Sequence, residues 1–87
     1  MDCDRDTAGM DWDETDGALE RTFHFPDFLA GIAFVNRLAA AAQDANHHPD
    51  IAISYKDVTV RWRTHSEDAI TELDRQMADR TDSLFQG

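Results

Sequence analysis

The chain is 87 residues, the length of one domain, and sets 8 Lys plus Arg against 18 Asp plus Glu for a formal net charge of −10. Charge of that sign repels phosphate backbones, which argues against sequence-independent nucleic-acid binding. No apolar run approaches ~18 residues, which excludes a membrane-spanning helix, and the acidic start lacks the apolar core of a secretory signal. The one cysteine, Cys3, has no intramolecular disulfide partner, so a reducing cytoplasm is the expected setting.

Seven acids (Asp2, Asp4, Asp6, Asp11, Asp13, Glu14 and Asp16) face Arg5 alone in the first sixteen residues. Composition reads 1–16 as an acidic, solvated N-terminal segment and 17–87 as the folded domain. Trp12 is the side chain of that segment expected to dock. Leu19, Arg21, Phe23 and Phe25 then alternate with Glu20, Thr22 and His24, a period of two that predicts a strand over 18–25. Asp27 is a candidate N-cap for a helix over about 28–44, with Phe28, Ile32, Val35, Leu38, Ala39 and Ala42 at helical spacing. Gly31 inside that helix implies a close contact. Pro49 ends any helix before it and pushes His48 toward extended backbone.

Ile51, Ile53 and Tyr55 alternate with Ala52 and Ser54, and Val58, Val60 and Trp62 with Thr59, Arg61 and Arg63. With a turn at Lys56-Asp57, this is a hairpin with one apolar and one polar face. Thr71 followed by Asp74 reads as a capping pair for a second helix whose buried stripe is Leu73, Met77 and Leu84. Strand, helix, strand, strand, helix is the order of a two-layer α+β domain, with helices on one face of an antiparallel sheet. A domain of ~70 ordered residues buries only about 60% of its unfolded surface, so association is a plausible source of stability.

Three of the four histidines, His47, His48 and His65, stand at element junctions. The start of one antiparallel strand lies beside the end of its partner, so the three imidazoles converge on one rim of the sheet. Such a cluster can give and take protons at neutral pH. In extended backbone His47 and His48 point to opposite sides. A His-His pair before proline also fits a plain surface turn, and His24 reads as a solvated outward residue. With Asp50 the three histidines could offer a zinc set, but adjacent histidines rarely chelate one tetrahedral ion, and no Cys-x-x-Cys or His-x-x-x-His spacing supports a metal.

The run His47-His48-Pro49, Tyr55, Thr64-His65 and Asp74 resembles the signature of the pterin-4a-carbinolamine dehydratases. The flanks agree as well: Leu19-x-Arg21-x-Phe23-x-Phe25 into Asp27-Phe28, and Thr71-x-x-Asp74 opening the last helix. The resemblance spans Trp12 to Leu84. It implies an α+β fold with a four-stranded antiparallel sheet and three helices. It also implies dehydration of the 4a-hydroxytetrahydropterin left by aromatic amino-acid hydroxylases, giving quinonoid dihydropterin and water without metal or organic cofactor. The catalytic set it implies is His47, His48 and His65. Asn46, Arg63, Thr64 and Ser66 join those histidines as pterin contacts, with Gln43 and Asp74 in support. Partners would be the pterin and further copies of the chain, as homodimer or homotetramer, with a functional link to a hydroxylase. Two features depart from the family. Gln43 stands where an acid is usual, and the family's first helix is shortened to the acidic segment. The alternative is a member with weak catalysis that serves as an interaction or assembly module.

Asp supplies 14 of the 18 acids and Lys56 is the only lysine, a composition used by proteins that work in concentrated salt, though a GC-rich genome also depletes lysine. Self-repulsion strains a chain this charged, and the Debye length falls from ~10 Å at 0.1 M to ~3 Å at 1 M salt. The melting temperature is therefore expected to rise as NaCl goes from near zero to about 1 M. Deleting residues 1–11, which removes Asp2, Asp4, Asp6 and Asp11 against Arg5, should shrink that rise. Melting that is flat or falls with salt would rule out self-repulsion as limiting.

Overall fold

The structure, a computed structural model, describes residues 12–86; Cys3 and the acids before Trp12 lie outside them. Asp16 and Gly17 both take positive φ, 52° and 76°. These are the angles of a two-residue type I′ hairpin turn, for which Asp-Gly is a preferred pair. The turn folds Asp13–Thr15 (β1) back on Ala18–His24 (β2), with Thr15 opposite Ala18. The last part of the segment expected to be solvated is thus an edge strand. Trp12 docks as expected: it is buried, and its Nε1 donates to the Asp82 carboxylate at 3.0 Å.

Asp50–Ser54 (β3) and Asp57–Trp62 (β4) complete a four-stranded antiparallel sheet of order β1-β2-β4-β3. Ser54 pairs with Asp57, so the hairpin turn is Tyr55-Lys56, one residue earlier than the sequence suggests. Tyr55 sits there at φ 55°, in left-handed geometry that Asn or Gly adopts more easily. That places its ring outside the strand, 69% exposed, where alternation had put it on the apolar face. Ile53 is also exposed, because β3 is an edge.

The registers Leu19↔Trp62, Arg21↔Val60 and Phe23↔Val58 put one face of β2 and β4 under both helices. Leu19, Phe23, Val58, Val60 and Trp62 form one core with Phe34, Leu38, Ala42, Met77 and Ala78. The first helix, Phe28–Ala45 (α1), starts as predicted, with Asp27 Oδ1 accepting from the Ala30 N–H at 2.8 Å. Its buried stripe is Gly31, Phe34, Leu38, Ala41 and Ala42 rather than the one counted from Phe28. Phe28 is exposed in the first turn, and the helix first becomes buried at Gly31. A Cβ there would lie 3.4 Å from both the Phe25 ring and Val58.

The second helix, Glu72–Gln86 (α2), buries Asp74, Met77, Ala78, Thr81 and Asp82, while Leu73 is exposed and Leu84 half-buried. The expected stripe holds at Met77 and in part at Leu84, and two acids and a threonine with partners of their own widen the buried face. Asp82, for instance, takes Trp12 and Arg21. No helix among the described residues is long and apolar enough to cross a membrane.

Candidate active site

At the end of α1, Asn46 takes left-handed geometry (φ 53°), and its N–H returns to the Ala42 and Gln43 carbonyls. The His47 N–H also bonds the Ala42 carbonyl. This is the asparagine form of a helix C-cap. It turns the chain sharply, and Pro49 then delivers it to β3 in extended form.

The turn drives His47 inward and leaves His48 outside. The His47 side chain is only 10% exposed, and its Nε2 lies 2.6 Å from Oδ1 of the fully buried Asp74. The other oxygen of Asp74 accepts from the Thr64 hydroxyl and the Thr71 N–H, each at 2.8 Å. Asp74 therefore caps α2 and holds His47 at once. Burial pushes its carboxyl up, but the hydrogen bonds from His47, Thr71 and Thr64, with the His47 charge, outweigh that and hold it below the ordinary value. An ionised carboxylate only accepts. His47 Nε2 must then donate, and in the neutral ring Nδ1 carries the lone pair.

Trp62, at the end of β4, stacks on the His47 ring at 5.5 Å with 17° between planes. Its indole N–H donates to Thr81 Oγ1 at 3.0 Å, and that hydroxyl donates in turn to the Met77 carbonyl. The imidazole is thus fixed in plane by a carboxylate and across its face by an anchored indole.

The other two histidines are exposed and held differently. His48 Nε2 lies 3.1 Å from Gln43 Oε1. His65 opens the turn after Thr64, and its Nδ1 accepts from Arg63 Nη2 at 3.3 Å. Arg63 Nη1 donates to Asp68 at 2.7 Å. Among the described residues no group of three or more His, Cys, Asp or Glu is arranged to hold a metal ion.

Comparison with known proteins gives this geometry a family. The sequence matches the Pterin 4 alpha carbinolamine dehydratase family over residues 3–84. The chain belongs to the pterin-4a-carbinolamine dehydratase family. A protein of Mycobacterium sp. (strain KMS), provisionally named a pterin-4-alpha-carbinolamine dehydratase, is 49% identical over 74 residues, 85% of this chain and 79% of that one. A Mycobacterium leprae (strain TN) protein of the same provisional name is 51% identical over 75 residues, 86% and 80% of the two chains. The crystal structure of a transcriptional coactivator/pterin dehydratase from Brucella melitensis superposes with a TM-score of 0.82 at 31% identity, covering 97% of this chain and 95% of that one. A pterin dehydratase-like RuBisCO assembly factor of the alpha-carboxysome shares the fold at TM-score 0.71 and 24% identity, over 85% and 86% of the chains.

Within the dehydratase-family frame, the residues singled out from sequence fall into two groups. Asp74 ties His47 directly to Thr64, so the helix-end and strand-end segments meet as expected. His48 and His65 belong to the same two segments but take partners of their own, Gln43 and Arg63. Asn46 is the helix cap, Ser66 is exposed in the turn, and Arg63 is engaged with Asp68 and His65. His24, read as merely solvated, is exposed but pairs across the strands with Asp57 at 2.7 Å. Sequence reasoning missed Trp62, Thr81 and Asp68 as supports. Alternation did place Trp62 inward, two residues before Thr64, and that was the available signal.

Proposed function

We propose that the chain dehydrates 4a-hydroxytetrahydropterin to quinonoid dihydropterin and water, in tetrahydropterin recycling. The observation that carries this reading is the buried His47–Asp74 pair, stacked on Trp62 and tied to Thr64. The reaction removes the proton on the ring nitrogen, turns that N–H electron pair into a C=N bond, breaks the C4a–O bond and protonates the departing oxygen. His47 Nδ1 is the base, because Asp74 stabilises the imidazolium it becomes. The departing oxygen is met by His48 and His65, one donating a hydrogen bond and the other the proton that makes water. Asn46, Arg63, Thr64 and Ser66 line the same two segments. Each positioned acid or base contributes about 10²–10⁴-fold, and the chemistry calls for no metal or organic cofactor.

The test is direct. Purified chain mixed with freshly generated 4a-hydroxytetrahydropterin should speed the appearance of quinonoid dihydropterin well beyond the spontaneous rate. An unchanged rate would favour the rival reading of an interaction or assembly module, which the amide of Gln43 beside His48 supports.

Association follows from the surface. Ile53 on edge strand β3, Tyr55 beside it, and Phe28 and Leu29 on α1 are large and exposed. Exposed edges invite pairing between copies. A homodimer or homotetramer is expected, with a light-scattering mass at least twice that of the chain; a monomer at micromolar concentration refutes it.

A further inference from the structure

The three site histidines are held by partners of three different charges: a carboxylate at His47, an amide at His48 and a guanidinium at His65. The third is chemically the most restrictive. A guanidinium has five N–H donors, no acceptor and a permanent charge. The contact between Arg63 Nη2 and His65 Nδ1 at 3.3 Å can therefore form only with the lone pair on Nδ1. The proton of the neutral ring is then on Nε2.

The backbone makes this contact possible. Thr64 turns inward to Asp74, so Arg63 and His65 on either side of it share the outer side of the chain. Asp68, at the end of the turn with φ 52°, holds the other guanidinium nitrogen at 2.7 Å. One fork thus spans Asp68 and His65, and both terminal nitrogens of Arg63 are occupied within the protein.

We propose that Arg63 is a positioning residue that fixes His65 as the Nε2–H tautomer, so that this imidazole meets the substrate as a hydrogen-bond donor and never as a base. The inference rests on the dehydratase reading and deepens it. His47 and His65 then have opposite polarity. His47 gives its Nε2–H to Asp74 and keeps a bare Nδ1, whereas His65 has its Nδ1 occupied and keeps Nε2–H. Together they offer one acceptor and one donor, which is what a substrate losing an N–H proton and a hydroxyl group requires. A neutral imidazole can polarise an oxygen in this way without becoming charged. The departing hydroxyl accepts from His65 Nε2–H as the C4a–O bond breaks, and the proton that completes water comes from His48.

Imidazole nitrogen NMR on the full-length ¹⁵N-labelled protein, at mildly alkaline pH, reads the tautomer without reference to activity. His65 should show a protonated Nε2 and a bare Nδ1. Arg63→Gln keeps a donor for Nδ1 and should preserve the tautomer with a loss of rate of about 2- to 10-fold, the weight of one hydrogen bond. Arg63→Glu sets an acceptor against Nδ1 and should move the proton there. It should lower kcat by about 10²-fold or more, as wrong tautomers do, with KM little changed. If Arg63 instead bonded the pterin itself, both variants would raise KM and leave the tautomer alone, which overturns the proposal. An active wild-type chain with His65 protonated on Nδ1 also overturns it. The expected tautomer in a wild-type chain with no dehydration would instead refute the dehydratase reading, and Arg63's part in catalysis with it.

Discussion

Replacing His47 with alanine is expected to lower the dehydration rate about 10²–10⁴-fold, because on the proposed mechanism it removes the base that takes the ring-nitrogen proton. His48→Ala should cost about 10²-fold through the departing oxygen. The two variants should differ in stability, and that difference reports the architecture. His47 is buried against Asp74 and Trp62, so its loss leaves a buried carboxylate short of a partner. Losing a hydrogen bond to a buried charge costs about 1.5–3 kcal/mol, a large share of what a domain this size possesses. His48 is exposed and bonded to the exposed Gln43, so His48→Ala should melt within a few degrees of wild type. His47→Gln, which can still donate to Asp74, should recover part of the stability and none of the rate. Stopped-flow assays beside thermal melts separate these outcomes. Rates like wild type in both His47→Ala and His48→Ala would take the two histidines out of the mechanism.

That pattern of two neighbours with opposite environments was legible in the sequence, because extended backbone alternates and Pro49 forces extension. The meeting of the His47 and Thr64-His65 segments was legible too. It follows from hairpin register, and the structure realises it through Asp74. What escaped was set by tertiary partners or by backbone sign. The Asp16-Gly17 turn carried a strong hairpin signal, but the acids around it argued for solvent, and the strand it closes is three residues long. Helix α2 was read by its apolar residues, yet its buried face includes Asp74, Thr81 and Asp82, polar groups that tolerate burial because Thr64, Trp62, Trp12 and Arg21 satisfy them. The Arg63–Asp68 pair depends on a left-handed residue at Asp68, which no periodicity announces.

Asp74 should also make the fold sensitive to acid, in a window its environment fixes. Its folded carboxyl lies below the ordinary 3.8, since the bonds and charge of its partners outweigh burial. The unfolded chain therefore binds that proton more readily, and stability rises with pH wherever it does so. The contribution is fully present above the unfolded value, near 3.8, and disappears as pH falls through the lower folded value. Asp74→Asn removes the charge but keeps the shape. At neutral pH it should destabilise by about 1.5–3 kcal/mol, the worth of a hydrogen bond to a charged group. For a domain of this length that lowers Tm by roughly 4–8 °C per kcal/mol. As pH falls through that lower folded value the wild-type carboxyl protonates as well, so the two melting curves should converge. A gap that stayed constant through that window would show that Asp74 supports the fold as a neutral cap, and His47 Nε2 would no longer be facing an anion.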